Sequence, residues 1–280
     1  MRNRPGRRAA IEEEIHLGRW SSPAAERRFR EAEDQLWSEE CSTAPKPFDL
    51  ETSVGLVRVY HWSGAGDPVV LLHGMGGTAI QWARMVGDLG GHDLYGIDMM
   101  GDVGRSVQRV AFRDAAHVVE WLDETIAGLG LDRAHLVGHE YGAFLALNQA
   151  LQRPERILTI TLLDPAGFER LSWQFVAFAA MLEDRRIVRF ALHAARHHPA
   201  RLPRAGLMSD SQLHDVGVPS LLLVGALSVK YDPEVVADRV KASIPDVEAI
   251  VIPGAGHALP VDPNADAGSR VRDFLRRHGS

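Results

Sequence analysis

Four short stretches of the chain carry side chains that could do chemistry, and each of them follows an apolar run of residues. They contain His73, Asp98, Glu140 and His257, in that order. A carboxylate can act as a nucleophile or transfer a proton, and an imidazole exchanges protons near neutral pH. Glu140 and His257 therefore predict covalent or proton-transfer chemistry, provided that the fold brings them together.

The apolar runs are the elements that must position these side chains. They are short and rich in Val, Leu and Ile, which is typical of strands buried on both faces of a parallel sheet. They cover residues 68–72, 93–98, 134–138, 157–163, 220–225 and 247–252. Helical patterns alternate with them at 113–129, 141–152, 233–243 and 265–277. The sequence predicts an α/β fold with a mostly parallel central sheet flanked by helices, and the carboxyl edge of this sheet collects the four stretches.

Two further segments complete the predicted organisation. An N-terminal helical extension contains an amphipathic helix at 23–40, and after Phe48 a strand-like alternation covers residues 54–62. No strand pattern occurs between residues 166 and 216, and an insertion of this size after a strand predicts a helical cap over the carboxyl edge. The expected divisions are the extension at 1–46, the core at 47–165 and 218–280, and the cap at 166–217.

The order of these motifs resembles that of the α/β-hydrolase superfamily, over about residues 50–277. It most resembles the bacterial lipase/esterase-like branch, whose members share the stretch from Asp98 to Ser106 and a helical cap. The nucleophile elbow of the superfamily, G-x-S-x-G, is a sharp turn that lifts its central residue above the sheet. Here Gly138 and Gly142 are the elbow glycines, expected where a side chain would collide with nearby backbone. Glu140 thus stands where the superfamily normally has its nucleophile.

The resemblance implies roles for several other residues. His257, in a glycine-rich loop after the last strand, would be the general base. The backbone N–H groups of Met75 and Tyr141 would form the oxyanion hole. His73 and Gly74 would support the loop that carries this hole.

The acid that would orient His257 has more than one candidate. In the superfamily it usually lies three residues after the glycine that ends the strand at 220–225, and that position is Ser228. Asp232 lies four residues further on. A minority of members place the acid after the preceding strand, where this chain has Asp164, and we favour Asp164. Asp164 could instead only begin the cap by accepting backbone N–H bonds.

A carboxylate at the elbow changes the expected reaction. Attack on an ester would give an anhydride, so ordinary ester hydrolysis by the serine mechanism is not expected. Superfamily members with aspartate at this position open epoxides or displace halide through an ester intermediate. They usually carry H-G-x-P before the oxyanion hole and activate the epoxide with cap tyrosines, whereas this chain has Gly76 for the proline and no tyrosine at 165–217. The preferred prediction is a hydrolase of an apolar, epoxide-like or ester-like small molecule that uses a Glu140–His257 pair.

Two other hypotheses stay open. Glu140 and His257 could exchange protons with a substrate, as in a cyclase, isomerase or dehydratase of secondary metabolism, if an apolar lid raised the pKa of the carboxyl group. Alternatively, the carboxylate could bend into the oxyanion hole and give a protein that binds a small molecule without turning it over.

Composition limits the partners and the location. The formal net charge of −6 disfavours a nucleic-acid surface, and the single cysteine, Cys41, allows no intrachain disulfide. A charged run at 12–14 argues against a secretory signal, and no apolar run approaches the ~20 residues of a membrane span. We expect a cytoplasmic protein without a cofactor, and the N-terminal helix offers a contact surface for a homodimer.

Two further motifs suggest ligands that we do not favour. Residues 74–79 fit the G-x-G-x-x-A pattern of a dinucleotide site with Asp98 as the acidic partner, but such short matches are common by chance. His193, His197 and His198 have the spacing of metal ligands on a helix, but no carboxylate or cysteine accompanies them. We expect the solvated end of a cap helix there, and no metal site.

Overall fold

The structure, a computed structural model, describes residues 20–168, 193, 196–198 and 201–279. Its centre is one sheet with the strand order β1-β2-β4-β3-β6-β7-β8-β9 over the described residues, and β5 pairs with β2. The pairs from β4 to β9 are parallel, while β1, β2 and β4 are joined antiparallel. The strands are β1 (Lys46–Thr52), β2 (Gly55–Trp62), β3 (Gly66–Leu72), β4 (His92–Ile97), β5 (Val107–Gln108), β6 (Ala134–His139), β7 (Ile157–Leu163), β8 (Ser220–Gly225) and β9 (Val247–Ile252).

Helices cover both faces of this sheet. The described helices are α1 (Pro23–Glu40), α2 (Ala115–Gly128), α3 (Tyr141–Gln152), α4 (Asp210–His214), α5 (Pro233–Ser243) and α6 (Ala267–His278), with short 3-10 turns at Ala79–Trp82 and Pro154–Arg156. The predicted α/β fold is therefore confirmed, and the predicted strands and helices lie within about two residues of the observed ones.

Neighbouring residues of β3 point into two different cores. Val70 and Leu72 pack with residues of α2 and α3, whereas Val69 and Leu71 pack with residues of α6 on the opposite face. All four side chains are fully buried. This alternation is the reason for the continuous apolar runs of the sequence, because a strand covered on both faces has no polar side.

The predicted N-terminal helix is present and lies on the domain. Ser22 caps α1 by accepting a hydrogen bond from the backbone N–H of Ala25. Phe29 and Glu33 are buried at a spacing of four residues, on the face that contacts the domain. The carboxylate of Glu33 pairs with Arg105 at 2.8 Å, so this helix is joined to the loop that follows β4.

Two strands were not predicted. β1 escaped the hydrophobic pattern because five of its seven residues are exposed, as befits the outermost strand. Its Pro47 is tolerated because a proline at the edge of a sheet removes no essential ladder hydrogen bond. β5 has only two residues, too few for any periodicity.

Most of the predicted cap, 166–217, lies outside the described residues. The part that the structure describes includes Phe168, which is buried against the core, and the short helix α4. Among the residues that are described, no helix is both long enough and apolar enough to cross a membrane.

Candidate active site

Glu140 lies in a sharp turn between β6 and α3. Its backbone has φ 52° and ψ −108°, a conformation that is rare for a residue other than glycine. A Cβ atom at Gly138 would lie 2.4 Å from the backbone of Gly142, and one at Gly142 would lie 2.0 Å from the carbonyl oxygen of Leu72. The turn can close only with glycine at both positions, and it raises Glu140 above the carboxyl edge of the sheet.

The carboxylate of Glu140 contacts the two backbone N–H groups that the resemblance assigns to an oxyanion hole. Its Oε2 atom accepts hydrogen bonds from the backbone N–H groups of Met75, at 3.1 Å, and Tyr141, at 2.6 Å. One donor comes from the loop after β3 and the other from the first residue of α3.

Lys230 contacts the other oxygen of this carboxylate. Its ammonium group donates a hydrogen bond to Oε1 of Glu140 at 2.8 Å, and its side chain is only 2% exposed. Sequence reasoning missed this residue, although Ser228 and Asp232 on either side of it were considered. The available signal was its place in the loop after β8, at the edge of the sheet where the other site residues meet.

Glu140 is ionised at neutral pH. Burial raises the pKa of its carboxyl group, but the charge and hydrogen bond of Lys230, together with His257 and the N–H of Met75, outweigh burial and lower it to about 2. The expectation that apolar surroundings would raise this pKa is wrong, because a buried cation faces the carboxylate. Glu140 is consequently a poor proton donor.

His257 faces the carboxylate of Asp164. Its Nδ1 atom lies 3.1 Å from Oδ2 of Asp164, which follows β7 and is fully buried. Burial raises the pKa of Asp164, but His257 and the hydroxyl groups of Tyr231 and Ser228 bring it below its usual value. Of the candidate acids, Asp164 is the one that lies against His257, and Ser228 is its neighbour because the ends of β7 and β8 are adjacent.

Asp232 has a different task. Its Oδ1 accepts hydrogen bonds from the backbone N–H groups of Glu234, at 3.1 Å, and Val235, at 3.3 Å. It is the N-cap of α5, where a short acidic side chain satisfies the first free N–H groups of the helix. Its assignment as an alternative acid is not supported by this arrangement.

His73 supports the oxyanion loop through both ring nitrogens. Nδ1 donates to the carbonyl oxygen of Gly74 at 2.8 Å, and Nε2 accepts from the N–H of Met99 at 2.9 Å. Burial lowers the pKa of His73, which is consistent with this neutral form. The residue holds two loops together at the edge of the sheet.

The side chain of Asp98 binds backbone groups of the protein itself. Its two carboxylate oxygens accept from the backbone N–H groups of Ala79, at 2.8 Å, and Arg105, at 2.7 Å, and its side chain is fully buried. An acidic residue that binds a ribose must present a free oxygen to the ligand. The dinucleotide hypothesis for residues 74–79 therefore fails at this position.

His139 lies beside His257, and its side chain is buried. Its Nε2 donates to the carbonyl oxygen of His257 at 3.0 Å, and the two rings are 4.9 Å apart. Burial and the neighbouring imidazole lower the pKa of His139 to about 3, so it is neutral. It fixes the backbone of the loop that carries His257.

The histidines near residue 195 join the N-terminal helix. His193 donates to the carbonyl oxygen of Ala25 at 2.8 Å, and Nδ1 of His197 lies 2.6 Å from the hydroxyl of Ser21. His198 is buried, so the expectation that all three are solvated is wrong for this residue. In the part of the chain that the structure describes, no group of three or more His, Cys, Asp or Glu side chains is arranged to hold a metal ion.

Comparison with known proteins supports the fold. The family model described as alpha/beta hydrolase fold matches residues 67–190. The uncharacterized carboxylesterase nap of Bacillus subtilis is 27% identical over 86% of this chain and 88% of its own length. Carboxylesterase YbfK of the same organism is 25% identical over 89% of this chain and 93% of its own length.

A solved structure shows the same architecture. A putative hydrolase from Bacillus subtilis superposes with a TM-score of 0.83 at 24% identity, covering 91% of this chain and all of the other. At this level of sequence identity, the similarity supports a shared fold and nothing further. Taken together, the sheet order, the family model and the carboxylesterase relatives show an enzyme with the α/β-hydrolase fold.

Proposed function

We propose that this protein is a hydrolase whose nucleophile is the carboxylate of Glu140 and whose substrate is an apolar small molecule with an electrophilic carbon, such as an epoxide. The observation that carries the proposal is the position of Oε2 between the N–H groups of Met75 and Tyr141. These contacts hold Oε2, so that Oε1, which accepts a hydrogen bond from Lys230, is the oxygen that would attack. The low pKa of Glu140 keeps it in the nucleophilic, ionised form.

The same contacts serve the second half of the reaction. Once Oε1 is bonded to the substrate carbon, Oε2 becomes the carbonyl oxygen of a glutamyl ester. Water attacking the Cδ atom of that ester would place negative charge on Oε2, between two N–H donors that are already aligned. No rearrangement of the hole is then needed between the two steps.

His257 is the base for this hydrolysis. It takes a proton from the attacking water, and Asp164, 3.1 Å from Nδ1, stabilises the imidazolium ion. Collapse of the tetrahedral intermediate breaks the bond between Cδ and the product oxygen, which leaves as an alcohol. Glu140 is restored as a carboxylate that contains one oxygen atom from water.

This mechanism separates the chain from its carboxylesterase relatives. A carboxylate that attacked an ester would form an anhydride, so we expect little activity on simple esters. The low pKa also weakens the cyclase, isomerase or dehydratase hypothesis, since a group with a pKa of about 2 seldom holds a proton at neutral pH.

A second candidate function is small-molecule binding without turnover. It is favoured by the ion pair between Oε1 of Glu140 and Lys230, which together with the oxyanion contacts engages both carboxylate oxygens. A protein of this kind would bind apolar ligands but form no covalent adduct.

One single-turnover experiment separates these functions. Enzyme in excess is mixed with styrene oxide in H₂¹⁸O, and the peptide that contains Glu140 is examined by mass spectrometry. The proposal predicts a transient adduct on Glu140 and then ¹⁸O in its carboxylate, with no adduct in Glu140→Gln. A diol that carries the ¹⁸O while Glu140 stays unlabelled would show direct attack by water, and no reaction despite measurable binding would favour the second candidate.

A further inference from the structure

We infer that Lys230 is the acid of the proposed reaction and delivers a proton to the substrate oxygen that departs when Glu140 attacks carbon. The inference rests on the proposed function and assigns a role to a residue that the superfamily pattern does not supply. It also narrows the substrate class, because only an oxygen leaving group, such as that of an epoxide, needs this proton.

The position of Lys230 suits this role. Its Nζ atom lies 2.8 Å from Oε1 of Glu140, the oxygen that attacks in the proposed reaction, so a substrate carbon that contacts Oε1 also approaches the ammonium group. The side chain is 2% exposed, which keeps bulk water from supplying the proton in its place. The group is therefore within reach of the reacting atoms.

Charge balance drives the transfer. Before reaction the buried carboxylate and ammonium compensate each other. When Oε1 bonds to carbon, the C–O bond of the epoxide breaks and its electron pair goes to oxygen, while Glu140 becomes a neutral ester. A buried ammonium that loses this negative charge is destabilised, so its proton passes to the new alkoxide and every product of the step is neutral.

The cycle also returns the proton. Hydrolysis of the ester yields a carboxylate, an alcohol and one proton, first taken up by His257. The restored negative charge on Glu140 favours the ammonium form of Lys230, which regains that proton. The net reaction is addition of water to the epoxide to give a diol.

The tyrosines of the chain do not take the role of proton donor to the leaving oxygen. There are four of them, and Tyr60 and Tyr95 lie within β2 and β4. The hydroxyl of Tyr141 donates to the carbonyl oxygen of Pro203 at 2.8 Å, and that of Tyr231 acts on Asp164. A phenol is the usual acid for opening an epoxide beside a carboxylate, and here each phenol has another position or partner.

Two probes with one carbon skeleton test the inference. Styrene oxide needs protonation of its oxygen, whereas (2-bromoethyl)benzene releases bromide without a proton. The alkylation rate of Glu140 by each probe is measured by mass spectrometry in the wild type, Lys230→Arg and Lys230→Met. Arginine keeps the positive charge but does not give up a proton, and methionine has a similar length without charge.

The ratio of the two alkylation rates is the readout, because general damage to the site slows both reactions. We expect the ratio of epoxide to bromide alkylation to fall by about 100-fold in both variants, the typical effect of losing a general acid. An unchanged ratio would overturn the role of Lys230 and leave the nucleophile in place. Absence of any adduct in the wild type would instead overturn the proposed function itself.

Discussion

Oδ2 of Asp164 lies 3.1 Å from Nδ1 of His257, which joins the end of β7 to the loop after β9. We predict that Asp164→Asn slows hydrolysis of the glutamyl ester by about 100-fold or more, because the imidazolium loses its counter-charge. The ester on Glu140 should then accumulate, and mass spectrometry of the intact protein under turnover measures this directly.

Asp232→Asn is the matched control for that experiment. This residue caps α5 and, in the proposed mechanism, takes no part in the chemistry, so the reaction rate should stay unchanged. Asparagine is itself a good N-cap, which keeps the helix intact. An equal loss of activity in both variants would show that Asp164 has no special relation to His257.

The second prediction concerns conversion of the site to serine chemistry. Glu140→Ser empties the oxyanion hole but leaves Lys230 buried after loss of the carboxylate that it contacts. We expect the double variant Glu140→Ser with Lys230→Met to hydrolyse p-nitrophenyl acetate about 100-fold faster than the wild type, and the single variant to gain less. Further substitution of His257 by alanine should abolish the gain. A gain that survives this third change would mean that His257 is not the base.

The third prediction concerns acid stability. The carboxyl group of Glu140 has a pKa of about 2 in the folded protein against an ordinary value of 4.5. A group whose pKa is lowered by folding stabilises the native state above its unfolded pKa, and this contribution is lost as the pH falls from 4.5 toward 2. The difference between these two pKa values corresponds to a contribution of about 3 kcal/mol to the free energy of unfolding near neutral pH.

Urea unfolding of the wild type and Glu140→Gln at several pH values measures this contribution. The difference in unfolding free energy between the two proteins should shrink toward low pH, while the titration of Asp164 affects both alike. A constant difference between pH 7 and pH 2.5 would contradict the low pKa of Glu140.

The fourth prediction concerns the elbow. In Gly142→Ala the new Cβ atom would meet the carbonyl oxygen of Leu72 at 2.0 Å, a backbone contact that cannot move aside. We expect a loss of at least about 3 kcal/mol in the free energy of unfolding, or no folded protein. Gly87→Ala is the control, because nothing lies within 4 Å of its added Cβ and the change should cost less than about 0.5 kcal/mol. Equal thermal stability of the two variants would contradict the geometry of the turn.

The fold could be predicted because burial on both faces of a sheet leaves a strong mark on a sequence. Residues 69–72 are apolar without interruption since each side chain enters one core or the other. β1 left no such mark because it is exposed, and the cap lies mostly outside the described residues.

The site was predicted in part for a similar reason. Glu140, His257 and Asp164 each follow a strand, and strand ends of a parallel sheet converge whatever their distance along the chain. Lys230 also lies in a loop that follows a strand, but this position alone did not mark it, because a lysine in a loop is ordinarily a surface residue. Its effect on the pKa of Glu140 depends on a contact across ninety positions of sequence, which only the folded protein reveals.

The occupied oxyanion hole has a practical consequence for finding this protein in cells. Fluorophosphonate reagents label serine hydrolases by bonding to the serine oxygen while their phosphoryl oxygen enters the hole. Here Oε2 of Glu140 already accepts from the two N–H groups of the hole, and the centre of the elbow carries no serine hydroxyl. Proteome-wide labelling with such reagents would therefore miss this protein. If Glu140 is the nucleophile that we propose, reagents that alkylate carboxylates, such as epoxide-bearing affinity labels, would label it.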